Sequence, residues 1–152
     1  MVFNWQPKNI KFKRLHKGRI TKIEYRNSAR QLFQGSFGLR ILKSGRLSAK
    51  QLEQAKKKII SIRQKREKQK IWFNCLPDIP VTSKPLGVRM GKGKGTTDYW
   101  ISRLTAGKMF LQINWMPSKK AKRGLYRASK VLPVPTKIVT NKIYKKPLKL
   151  KY

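Results

Sequence analysis

Thirty-nine of the 152 residues are Lys or Arg and only five are Asp or Glu, a formal net charge of +34 near neutral pH. A folded chain with that imbalance repels itself, and its own acids are too few to offset its cations. It therefore calls for a polyanionic partner, and nucleic acid is the default. Five carboxylates and a single histidine, His16, leave little material for acid–base chemistry, so the chain does not read as an enzyme. One cysteine, Cys75, excludes an internal disulfide, and with one histidine it excludes the usual metal cages. No metal, cofactor or small-molecule substrate is expected. No run approaches the roughly 20 apolar residues of a membrane span, so no membrane partner is expected either. Yet 39% of the residues are hydrophobic and four are tryptophan, more than a disordered basic tail carries. A modest core under a cationic surface is the expectation.

The chain divides into a basic arm over 1–23, one α+β domain over 24–140 and a basic tail over 141–152. The arm holds Lys8, Lys11, Lys13, Arg14, Lys17, Arg19 and Lys22 and no acid. Pro7 and Gly18 interrupt any amphipathic helix there, and serine is absent, which disfavours a targeting peptide. Phe37 to Leu42 reads as a short strand between glycine turns. Ser48 and Gln51 form a capping box and Leu47 and Leu52 a hydrophobic staple. With Leu52, Ala55, Ile59 and Ile62 on one face, they predict a helix over 48–68. Ile71 to Leu76 is strand-like. Pro77, Pro80 and Pro85 then hold an extended connection. Tyr99–Leu104 and Met109–Trp115 read as a hairpin turning at Thr105–Lys108. In its second strand Met109, Leu111, Ile113 and Trp115 share one face, and Gln112 and Asn114 the other, the pattern of a half-buried sheet. Ala121, Leu125, Ala128 and Leu132 predict a second helix over 118–132, weakened by Gly124. Val134–Thr140 adds a last strand. The expected fold is α+β, with two helices packed on one face of an antiparallel or mixed sheet.

Arg89, Met90, Gly91, Lys92, Gly93, Lys94 and Gly95 form the most informative segment. Glycine permits close backbone approach, so that amide N–H groups reach phosphate oxygens, and lysine adds point charges. A nucleotide-binding P-loop is rejected, because Gly87 and Gly93 are separated by one residue too many and Gly95 stands where Ser or Thr is required. In isolation the segment fits either a surface loop or a loop inserted among RNA phosphates. His16 among cations fits an RNA hydrogen-bonder better than a base. Asp78 and Asp98 fit turn or capping roles better than a magnesium site. Cys75 reads as a small buried hydrophobe. The aromatics in predicted strands, among them Trp72, Phe73, Tyr99, Trp100, Phe110 and Trp115, are assigned to the core. Phe3 and Trp5 are excepted from the core reading, and aromatics left exposed are free to stack on bases. No recognition-helix, zinc-finger or RNP signature appears, so affinity is expected through phosphates and shape.

Several of these segments together resemble the large-subunit ribosomal protein sixteen (L-sixteen) family of bacterial type. They are Lys13–Arg19, Gly35–Leu39, Gly45–Glu53, Ile71-Trp72 before Pro77-Asp78, and above all Lys84–Gly95 with Tyr99-Trp100 after it. The resemblance spans about Pro7 to Thr140. It implies a hammerhead-type α+β domain bound to large-subunit rRNA, beside neighbouring ribosomal proteins and near the peptidyl-transferase centre and A-site tRNA. Carried over, Lys13, Arg14, His16, Lys17 and Arg19 are arm contacts to rRNA, and Lys8 and Lys11 of the same basic arm are assigned to rRNA with them. Arg46 and Lys50 meet rRNA at the helix start. Arg89, Met90, Lys92 and Lys94 are the loop contacts, on a Gly91-Gly93-Gly95 frame. The family is often acidic where Ser118–Lys130 has no acid at all. The chain has 27 lysines against 12 arginines and 13 isoleucines against six alanines, a bias of AT-rich genomes. With an arm motif inside the first twenty residues, this points to a mitochondrially encoded protein of the mitochondrial ribosome, with a bacterial cytoplasmic ribosome as the alternative. A non-ribosomal RNA-processing or RNA-chaperone protein is the rival of another class.

Overall fold

The computed structural model describes residues 5, 7, 10–12, 14–20, 31–33, 35–62 and 70–141. Nine elements follow in order: β1 (Phe37–Ile41), β2 (Gly45–Ser48), α1 (Ala49–Ile60), β3 (Lys70–Phe73), β4 (Ile79–Ser83), β5 (Thr96–Leu104), β6 (Met109–Asn114), α2 (Ser118–Ser129) and β7 (Thr136–Thr140). The fold is α+β. It has two sheets where one was expected, ordered β3-β6-β1-β7 and β2-β5-β4, and every pairing is antiparallel.

The start of α1 follows from its sequence. The Gln51 amide donates to Ser48 Oγ at 3.3 Å and the Ser48 amide donates to Gln51 Oε1 at 2.9 Å. Such a cap stabilises a helix by about 1 kcal/mol. Leu52, Ala55 and Ile59 are buried as the periodicity predicts. The helix closes at Ile60, short of the expected end, and at its cap Ser61 donates its hydroxyl to the Lys58 carbonyl and its amide to the Lys57 carbonyl. The remainder of that prediction, 63–68, lies outside the described residues, as does the tail from 142. In α2, Ala121, Leu125 and Ala128 are buried and Leu132 nearly so, but the helix itself ends at Ser129.

Two strands and one pairing differ from expectation. Pro80 does not keep its segment out of a sheet: β4 is an edge strand, where a missing N–H breaks no ladder on the open side, and Pro80 lies opposite Trp100. Gly45–Ser48 is a strand, with Leu47 opposite Ser102. β5 and β6 are not a hairpin. The turn at 105–108 passes the chain from one sheet to the other, with Ile41 N–H donating to Lys108 O and Gly107 N–H to Ile41 O.

Nor is β6 half-buried. Met109 to Ile113 are five consecutive buried residues, Gln112 included. The chain near Leu32 covers the second face: a Cβ on Gly38 would meet Leu32 Cδ2 at 2.7 Å, and Phe33 N–H donates to Gln112 Oε1 at 3.1 Å. The two helices, β1 and β6 share one apolar cluster that includes Leu39, Ile41, Leu52, Ile59, Phe110, Leu111 and Leu125. Trp5, excepted from the core reading, packs against this cluster edge-on to Phe73 at 5.0 Å, and Phe73 is in turn edge-on to Phe110 at 5.7 Å. Trp115, expected in the core, is 61% exposed at φ 62°, beyond the end of β6. Phe3 lies outside the described residues.

Gly124 faces α1, and a Cβ there would sit 3.8 Å from Ile62 Cδ1 and 3.9 Å from Ile59 Cα, ordinary contact distances. Gly124→Ala therefore gains helix propensity without a clash and should raise stability by about 0.5–1 kcal/mol in denaturant unfolding. Leu52→Ala, by contrast, empties a fully buried site and should cost about 2–5 kcal/mol.

Candidate nucleic-acid interface

The arm residues 14–20 are exposed and belong to no helix or strand, and their backbone is fastened to the three-stranded sheet and to the loop before β5. Three cations do this through carbonyls. Lys94 Nζ donates to Leu15 O at 2.9 Å, Arg103 Nη2 donates to His16 O at 3.2 Å, and Arg46 Nη2 donates to Gly18 O. With the carbonyls engaged, the side chains of Arg14, His16, Lys17 and Arg19 remain in solvent. Gly18 has φ +65°, a conformation that selects glycine, and a Cβ there would lie 2.7 Å from the Arg103 guanidinium, the movable end of a flexible side chain. Arg46 is placed on β2 rather than at the helix start. Lys50 lies exposed in the first turn of α1.

The glycine–lysine loop joins β4 to β5. Its stem is closed by Gly95, where a Cβ would sit 2.3 Å from the Ser83 carbonyl oxygen. Lys84 Nζ spans the loop to donate to Gly91 O at 2.6 Å. Gly91, Lys92 and Gly93 run at φ +108°, +52° and +79°, three successive left-handed residues. That path turns the backbone sharply, and lysine at such a φ is uncommon. Around it Arg89, Lys92 and Lys94 are exposed and Met90 is fully exposed. A Cβ on Gly91 or Gly93 would meet nothing, so these glycines serve the turn rather than a close contact within the chain.

A groove of about 630 Å³ lies beside the arm, lined by Lys17 from the arm, Arg46 from β2, Lys50 and Gln51 from α1, and Asp98, Tyr99 and Trp100 from β5. Tyr99, assigned to the core by its strand, is 42% exposed here. The structure thus brings Lys17, Arg46 and Lys50 together and ties Lys94 to the arm. Lys11 is exposed, its ammonium 5.7 Å from the Phe12 ring centre. Lys8 and Lys13 lie outside the described residues. Arg103 is the functional residue the sequence reading missed. It sits in a strand remote from the arm, and nothing in its local pattern signals an arm carbonyl 87 positions away.

Among the described residues Asp78 and Asp98 do not converge. Asp98 lines the groove, whereas Asp78 lines a separate cavity of about 520 Å³ with Cys75, Ser102, Arg103 and Lys108. Among the described residues no three His, Cys, Asp or Glu side chains are placed to hold a metal ion, and no helix is long and apolar enough to cross a membrane. Cys75 is buried as expected. Burial pushes its thiol up to about 12, against the opposing pull of the Lys108 charge and the Ser102 hydrogen bond.

Fold and surface together define a small α+β protein with many exposed cations. The sequence model of the family described as ribosomal protein L16p/L10e matches residues 7–139, and the chain belongs to that family. The match spans the arm from Pro7, both helices, the glycine–lysine loop and both sheets as far as Val139. The chain is therefore a structural protein of the large ribosomal subunit, from a family that is not enzymatic.

Two outcomes follow from these contacts. Arg103→Ala or Lys94→Ala removes one exposed hydrogen bond to the arm, worth about 0.5–1 kcal/mol. Trypsin should then cut the free protein at Arg14, Lys17 and Arg19 roughly two- to fivefold faster than it cuts the parent chain. Cys75 should resist thiol reagents at pH 7–8 in the folded protein and react on unfolding, because both burial and protonation withhold the thiolate.

Proposed function

We propose that the chain binds large-subunit rRNA through its arm and the adjoining groove, and that residues 89–95 reach toward A-site tRNA near the peptidyl-transferase centre. The observation that carries this reading is the loop itself, a left-handed Gly91-Lys92-Gly93 turn with free cations, mounted on a stem closed by Gly95 and Lys84. Exposed amides and point charges on a narrow loop suit phosphate oxygens approached from several sides. In this account Lys8, Lys11, Lys13, Arg14, His16, Lys17 and Arg19 face rRNA from the arm. Lys50 does so from α1, while Arg46 holds the arm in place. Affinity comes from neutralised phosphates and released counterions, so log K falls with log salt by about 0.7–0.9 per contact.

The lysine and isoleucine bias supports use in a mitochondrial ribosome, the product of an AT-rich genome. The scarcity of acids and the separation of Asp78 from Asp98 weigh against an RNA-processing enzyme.

Lys92 and Lys94 have different positions and so separate the roles. Lys92→Ala removes a loop charge with no fastening duty assigned to it and should slow translation by assembled ribosomes while large-subunit assembly stays near normal. Lys94→Ala also releases Leu15 and should lower assembly as well. Equal loss of assembly and translation in Lys92→Ala would contradict a tRNA-facing role.

A further inference from the structure

We infer that the cleft between the C-terminal end of α1 and the outer face of α2 is a second seat for the rRNA backbone, separate from the arm and the loop. The inference rests on the reading of this chain as an rRNA binder and extends it to a surface that reading does not use.

The cleft is about 400 Å³, lined by Ser61 and Ile62 after α1 and by Lys119, Lys120, Arg123 and Arg127 of α2. Burial of Ala121, Leu125 and Ala128 fixes the rotation of α2 and leaves Lys119, Arg123 and Arg127 exposed. These three recur every fourth residue, so they stand in one row with steps of about 6 Å along the axis. Like charges at that spacing destabilise a helix. α2 has no acid to relieve them, whereas α1 pairs Lys57 with Glu53 at 2.9 Å. The three exposed cations of that row, Lys119, Arg123 and Arg127, exceed what a compact anion offsets, since a phosphate group carries at most about two negative charges. A row of singly charged phosphates along a nucleic-acid strand matches both the number and the linear order. Arginine adds planar, paired donors that fit phosphate oxygens. The site is also distant from the first. Ser48–Gln51 line the groove at one end of α1 and Ser61–Ile62 line the cleft at the other, about 18 Å apart for a helix of 12 residues.

The test measures binding of the full chain to a transcript of the whole large-subunit rRNA across a salt series. Arg123→Gln/Arg127→Gln is compared with Lys43→Gln/Lys137→Gln, an equal charge loss at exposed positions outside the cleft. The cleft pair should lower the slope of log K against log salt by about 1.4–1.8, two contacts' worth, and the control pair should leave it near that of the parent. Arg123→Lys/Arg127→Lys should restore most of the slope. All four sites are exposed, and equal melting temperatures will show that the variants fold. Equal slopes for the cleft and control pairs would overturn this inference alone. No salt-dependent binding by the parent chain would overturn the rRNA reading and this inference with it. Crosslinks from residues 119–127 to an acidic protein segment, and not to rRNA, in the intact subunit would also overturn it.

Discussion

The arm and loop geometry depends on one substitution of chemistry: cations that lack carboxylate partners donate to backbone carbonyls instead. Lys84, Lys94, Arg46 and Arg103 all do so, at Gly91, Leu15, Gly18 and His16. A carbonyl satisfies the donor without cancelling its charge. The chain gains a fixed arm and a braced loop while keeping the positive potential intact for a polyanion. Carboxylates in those places would hold the same backbone and spend the charge. With 39 cations and five acids, the scarcity that makes the free protein self-repelling is also what keeps its surface electrostatically available.

Against that repulsion stands a core drawn from both helices, β1 and β6, enlarged by Trp5 from the arm. The two functions share elements. β5 carries Tyr99 and Trp100 into the groove and Arg103 to the arm, while Ile101 and Leu104 are buried. One strand thus contributes to both the core and the groove. α1 does the same along its length, buried on Leu52, Ala55 and Ile59 and open to a cationic hollow at each end.

Local signals were legible and long-range ones were not. The Ser48–Gln51 box, the apolar faces of both helices and the glycine–lysine loop could each be read from neighbouring residues. The partner of β5 could not, because a short turn permits a hairpin but does not require one, and here the ladder to β2 and β4 takes precedence. Pro80 argued against a strand only for a strand with two neighbours. Trp5 and Trp115 exchanged their expected places, since burial of an aromatic depends on what the fold lays over it. Gln112 looked solvent-facing until the chain near Leu32 covered that face. The arm's fastening was invisible for the same reason: carbonyls have no sequence signature, and Arg103 lies 87 positions from the one it holds.

The central claim is that this cationic surface is shaped for large-subunit rRNA, with the glycine–lysine loop turned toward tRNA. It is tested most directly by crosslinking in native extract and sequencing the RNA attached to this chain. The account predicts crosslinks from residues 14–19 confined to large-subunit rRNA, and from 89–94 to that rRNA and to tRNA. Crosslinks spread over messenger or precursor RNA, with no enrichment of large-subunit rRNA, would contradict it.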